Sequence, residues 1–191
     1  GEGVDERTVA RLGATPADGP RHPILGVDPV ACNPQLGVKG PWFQRLPHFR
    51  MDFTPSVGAE LQSEFLIARE HAPAAIEAVS KIAHVISPLL FVNEIRSVAA
   101  SELWLDPAYG RDSVALHFTW HRDESAVREV LTELEAALEP FDARPHWGKI
   151  FTRSGEAVAE QYPRFDDFRE LRQKMDPAGR LLNEYTRRLG L

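Results

Sequence analysis

The chain has 191 residues, enough for one sizeable domain or for one domain with an extension. Its 43% hydrophobic and 26% charged residues are ordinary for a globular protein, and a net charge of -6 with acids and bases interspersed leaves no basic stripe for nucleic acid. Cys32 is the only cysteine, which excludes an internal disulfide and a thiolate metal cluster and favours a reduced, cytoplasmic setting.

The N-terminus, GEGVDERTVAR, has no apolar signal core and no initiating Met, and reads as a cut end. Residues 1–58 hold eight of the fifteen prolines and eight of the thirteen glycines, a density that interrupts both helix and ladder. This stretch is expected to be irregular, with short strands near His48–Phe53, and to wrap over something outside the chain. Regular periodicity begins at Ala59. AELQSEFLIARE alternates as a strand does, with Leu61, Phe65 and Ile67 on one side and Gln62 and Glu64 on the other. HAPAAIEAVSKIAHVIS reads as a helix over 72–87, with Pro73 in its first turn and Ile76, Val79, Ala83 and Ile86 on one face. Leu89–Val98 is a second strand. The apolar run from Ile86 to Val92 contains Pro88 and is too short to span a bilayer.

After a loop containing Leu103, Trp104 and Leu105 comes DSVALHFTWH, the clearest alternation in the chain. Val114, Leu116, Phe118 and Trp120 point one way; Ala115, His117, Thr119 and His121 point the other. Asp123 is the expected N-cap of a helix over 124–139, whose buried stripe is Val127, Val130, Leu131, Leu134 and Leu138. PHWGKIF, residues 145–151, supplies a fourth strand. From Gly155 to Leu191 a helical tail follows, broken at Pro163 and Pro177. Strand–helix–strand occurring twice predicts an α+β fold: an antiparallel sheet with both helices on one face, the ferredoxin-like βαββαβ pattern.

If the helices cover one face, the other carries Glu94 and Arg96 from the second strand and His117 and Thr119 from the third, because side chains alternate with period two. Lys149 joins them if the register of the last strand allows. Two readings are open at this point. A solvated face with a surface ion pair is the plainer one. The other is a ligand pocket, suggested by apolar neighbours: Val92 and Val98 on the Glu94/Arg96 side, Trp147 and Phe151 on that of Lys149. A metal is a poor reading, since His117 and His121 are separated by about 13 Å along a strand. His22, His48, His71, His84 and His146 are scattered and read as surface or packing residues. No nucleophile elbow, Walker loop or dinucleotide-binding glycine fingerprint is present.

HFRMDFTPSVGAELQSEFLIARE, VNEIRSVAASELWLDPAYGRDSVALHFTW, RPHWGKIF and DPAGRLLNEYTRRLG together resemble the C-terminal part of the alditol (xylitol) oxidases. These are flavoenzymes of the vanillyl-alcohol oxidase superfamily, related to the sugar-lactone oxidases. The resemblance runs from about Gly19 to the end. EIR followed by HFTW and HWGK is its specific part, and the closing DP…N is shared more widely.

The resemblance implies an FAD enzyme whose N-terminal domain holds the flavin, commonly tethered through a histidine, and whose cap domain forms the substrate side of the cleft. Residues 1–161 would be that cap, truncated at its start. Residues 162–191 would be a tail packing on the FAD domain, which is missing here, so that this chain alone should be inactive. Glu94, Arg96, His117, Thr119 and Lys149 match the family's substrate-contacting positions, with Arg96 and Lys149 in catalytic roles; the cofactor-binding residues lie mainly outside the chain. The implied reaction takes a polyol primary alcohol to the aldehyde while molecular oxygen becomes hydrogen peroxide. A sugar-1,4-lactone oxidase, or a non-catalytic ferredoxin-like binding module, are the alternatives.

Overall fold

The computed structural model describes residues 6–15, 17–24, 26–45, 50 and 60–191, which form two compact units divided after Gly58. In the first unit a short helix, α1 (Glu6–Arg11), is followed by single 3-10 turns at Pro29–Ala31 and Trp42–Gln44. Its order comes from local bonds. The Asp28 carboxylate accepts from Val30 N at 2.9 Å, and the Arg45 guanidinium donates to the carbonyls of Val38, Lys39 and Gln44. The strands expected near His48–Phe53 lie outside the described residues, apart from Arg50, which is in no strand.

The second unit is built on β1 (Leu61–Ala68), α2 (Ala72–Lys81), α3 (Ala83–Ile86), β2 (Leu90–Val98), β3 (Ser113–Trp120), α4 (Glu124–Leu138) and β4 (Arg144–Pro145). The tail adds α5 (Gly155–Ala159), α6 (Phe165–Met175) and α7 (Glu184–Arg188). The strands are ordered β2-β3-β1-β4 and all pair antiparallel. This is the expected α+β sheet in ferredoxin-like order. The single helix expected over 72–87 is two, parted at Ile82.

Alternation sorts the side chains as expected on β3. Val114, Leu116, Phe118 and Trp120 join Phe65 and Ile67 of β1 and the Val127, Leu131, Leu134 and Leu138 stripe of α4 in one core. Phe118 and Trp120 stack at 5.3 Å, and the one polar atom the Trp120 indole brings inside is satisfied, Nε1 donating to Ser63 Oγ at 2.9 Å. Asp123 caps α4 as expected, its Oδ1 accepting from Ala126 N. Tyr162, Phe165 and Leu189 of the tail belong to this same core.

Two features depart from the sequence reading. The fourth strand is not 145–151 but only Arg144–Pro145. The chain bonds β1 through His146 N to Glu64 O, loops out, and bonds it again through Ile150 N to Gln62 O, each at 2.9 Å. The loop closes internally, with Lys149 N donating to His146 O and Gly148 N to the His146 ring. Trp147 is drawn off by its own bond to Leu105 O, and Phe151 packs in the helix-side core, where the reading had placed both beside Lys149. The second departure is cover on the face opposite the helices. Ala108, from the loop between β2 and β3, is fully buried against Leu66 and Ala115 there. Arg144 holds that loop by donating to Tyr109 O and Pro107 O.

Candidate active site

The register places the site residues in rows across three strands. Glu94 of β2 faces His117 of β3, which faces Glu64 of β1. One row over, Arg96 faces Ala115 and Leu66; on the other side Val92 faces Thr119 and Gln62. Ala115 has no bulk beyond a methyl group, so the Arg96 side chain can lie across β3 and reach Glu64 on the far strand. It donates from Nη1 to Glu64 Oε1 at 3.2 Å and from Nη2 to Glu94 Oε2 at 2.7 Å. The loop after β4 delivers Lys149, whose Nζ contacts Glu64 Oε2 and lies 2.8 Å from His117 Nδ1. His117 Nε2 lies 3.1 Å from Thr119 Oγ1. The five residues named from the sequence thus meet in one hydrogen-bonded group.

At the centre of that group stands a sixth, Glu64, which the sequence reading used only to mark a polar strand face. Its carboxylate is buried and receives Arg96, Lys149 and the His117 ring, Nδ1 being 3.2 Å from Oε2. Burial alone would raise its pKa. Bonds from His117 and Lys149 and the charges of Lys149 and Arg96 outweigh that and hold it down at about 2. A signal was present: an acid between Ser63 and Phe65 in a strand whose next three residues are apolar. What it bonds to depends on cross-strand register, which alternation does not reveal.

His117 Nδ1 faces two partners of opposite kind. Lys149 can only donate, and a carboxylate can only accept. A neutral ring therefore takes the ammonium proton at Nδ1 and donates from Nε2 to Thr119. A protonated ring donates from Nδ1 to Glu64.

Beside this group a cleft of about 780 Å³ opens, lined by Glu64, Glu102, Asp106 and His146 and by apolar side chains that include Leu66 and Trp104. His146, read from sequence as a packing histidine, lines this cleft. Its burial, and then the neighbouring Lys149 charge, lower its pKa. A charged floor joined to an apolar cleft can fix the hydroxyls of a small polar molecule while its surroundings exclude water.

The model of the D-arabinono-1,4-lactone oxidase family matches residues 59–189. The chain belongs to the D-arabinono-1,4-lactone oxidase family. That match covers nearly all of the second unit, in which the Glu64 group and the cleft lie. Among relatives, an alditol oxidase of Streptomyces sp. (strain IKD472 / FERM P-14339) is 52% identical over 176 residues, 92% of this chain and 42% of that protein. An L-gulono-1,4-lactone dehydrogenase of Mycobacterium tuberculosis (strain ATCC 25618 / H37Rv) is 34% identical over 67% of this chain and 30% of its own length. An L-gulonolactone oxidase of Mus musculus is 28% identical over 48% of this chain and 22% of its own. The chain therefore spans less than half the length of these relatives.

Proposed function

We propose that this chain is the substrate side of an FAD-dependent alditol oxidase, which takes a primary alcohol of an open-chain polyol to the aldehyde while oxygen is reduced to hydrogen peroxide. The observation that carries the reading is the convergence of Glu94, Arg96, His117, Thr119 and Lys149 on one sheet face beside a cleft. The 52% identity to an alditol oxidase, against 34% to a lactone dehydrogenase, favours the polyol over the lactone.

The residues present fit a flavin at its reacting end. Arg96 and Lys149 are cationic donors bonded to Glu64, and Glu64 itself lines the cleft with Leu66 and Trp104, where a ring that gains negative charge could lie. The described residues offer no glycine-rich turn for a pyrophosphate, which suits a nucleotide end held by a further domain. FAD, when bound, supplies the acceptor for the hydride that leaves the alcohol carbon. The rest is done by side chains of this chain. Arg96 is held by two carboxylates and stays charged, so it can stabilise the alcohol oxygen as it becomes anionic, and Lys149 can donate to the same oxygen. Glu94, Thr119 and His117 are left to bind the other hydroxyls, each of which both donates and accepts. Within residues 162–191, Tyr162, Phe165 and Leu189 are tied into the cap's core, while Leu171, Met175 and Leu181 stay exposed as apolar contacts for the flavin domain.

The test is peroxide release by the full-length parent enzyme offered xylitol, sorbitol, glycerol and a sugar lactone. Peroxide from the open-chain polyols is the expected result; peroxide from the lactone alone would move the substrate class. Lys149→Ala in that enzyme should lower turnover about 100-fold with flavin content unchanged. Equal turnover would remove Lys149 from the mechanism.

A further inference from the structure

We propose that Glu64 is the positioning residue of this site: it holds Lys149 against His117, and it is the counter-ion that lets His117 Nδ1 take up the proton of the substrate hydroxyl. The proposal rests on the alcohol-oxidase reading above and adds to it the path of the proton.

The geometry leaves few alternatives. Lys149 Nζ is the donor beside the ring, 2.8 Å from Nδ1, and Glu64 Oε2 lies 3.2 Å from the same nitrogen. Arg96 is committed to Glu94 and Glu64 and carries no exchangeable vacancy for a proton. Lys149 first gives an N–H proton to His117 Nδ1. The amine lone pair this leaves turns to the substrate hydroxyl and takes its proton as the O–H bond breaks, while the hydride of the alcohol carbon would go to FAD when it is bound. Lysine ends as it began, an ammonium ion; the ring ends as imidazolium, and its new N–H turns from Lys149 to the waiting carboxylate. One proton has moved from substrate to histidine, and no extra oxidant or base is required. Without Glu64, two cations and an imidazolium would share one partly dry sheet face with only the half-exposed Glu94 to balance them.

Other charged or titratable groups surround the pair: Glu94 and Arg96 on β2, His146 in the loop after β4, and Glu102 and Asp106, which line the cleft with Glu64 and His146. None is as close to His117 Nδ1 as the Glu64 carboxylate among the described contacts. Glu64→Gln keeps the size and one acceptor oxygen and removes the charge.

In the full-length flavoenzyme, Glu64→Gln should lower kcat about 100-fold and change KM less than about threefold. The acid limb of its kcat–pH profile should move to lower pH, because the protonated ring has lost its counter-charge. Glu64→Asp, which keeps the charge, should recover a tenfold share of the loss. A loss of kcat that tracks loss of bound flavin and of thermal midpoint, with the acid limb unmoved and no recovery in Glu64→Asp, would overturn the proposal. One readout needs no turnover: the rate at which Lys149 is reductively methylated, followed by peptide mass spectrometry. Release from Glu64 should raise it at least fivefold in Glu64→Gln, and an unchanged rate overturns the positioning role. If the wild-type enzyme oxidises no alcohol, the functional reading fails by itself, and the methylation rates still decide whether Glu64 holds Lys149.

Discussion

Two glutamates stand on opposite sides of the sheet with nearly the same burial, Glu64 at 7% exposure and Glu135 at 8%. Their behaviour is opposite. On the strand face, Glu64 is pulled down to a pKa of about 2 by His117, Lys149 and Arg96. On α4, burial dominates and raises Glu135, although Thr152 donates to it from both its backbone N, at 2.7 Å, and its hydroxyl, at 2.6 Å, and the Arg153 charge also favours the ionised form. The cation near Glu135, Arg153, is paired with Glu139 instead, whereas three basic groups bond directly to the Glu64 carboxylate. The comparison teaches that depth alone does not decide what a buried acid is for.

The largest expected effect separates the two sides. Glu64→Ala strands the charges of Arg96 and Lys149 and should cost about 3–5 kcal/mol in denaturant unfolding. A loss near that of an ordinary surface substitution would mean that water already screens the group, and the contrast with Glu135 would collapse.

Next is the pH dependence. Glu64 has a folded pKa of about 2 against an ordinary 4.5, so its contribution, about 3 kcal/mol, is present in full above about pH 4.5 and is lost as pH falls toward about 2. Glu135 is shifted the other way. Its contribution is present below its ordinary pKa and is lost as pH rises through the raised folded value. Unfolding free energies measured from pH 6 to pH 2 should therefore fall less steeply in Glu64→Gln than in the wild type, and more steeply in Glu135→Gln. The same slope in both variants would refute the assignment of opposite signs.

The same two sides differ in how far they could be read in advance. The helix face was legible: in DSVALHFTWH the apolar set on alternate positions, and Asp123 before Glu124, carry their meaning within a few residues. Short motifs also named Glu94, Arg96, His117, Thr119 and Lys149, which the fold joins in one hydrogen-bonded group. What escaped was everything set by long-range pairing. Glu64 meets His117 across 53 residues and Lys149 across 85. The looping out of 146–149 depends on bonds that Trp147 makes to Leu105, and the cover over Leu66 comes from Ala108 in a segment without periodicity. Alternation reports which face a residue takes, not which neighbour it finds there.

A smaller effect probes the helix side alone. Asp123→Ala removes the acceptor for Ala126 N at the start of α4 and should cost about 1 kcal/mol. Since α4 touches the strand face only through the sheet, the methylation rate of Lys149 should not change. A changed rate would mean that the two faces are mechanically coupled.

The smallest effect is the most exacting test of the comparison. Glu135→Gln keeps one acceptor oxygen, which can still take the Thr152 N–H, while the new amide group can donate to the Thr152 hydroxyl once that hydroxyl rotates. The bonds are conserved and the cost of a buried charge is removed, so stability at pH 7 should stay within about 1 kcal/mol of the wild type or rise slightly. The identical substitution at Glu64 removes a charge that three basic groups share and has no such rearrangement open to it, because Lys149 and Arg96 have nothing to accept with. If Glu135→Gln proved as damaging as Glu64→Gln, partner charge would not be what distinguishes the two acids, and the strand face would lose its claim to a special electrostatic role.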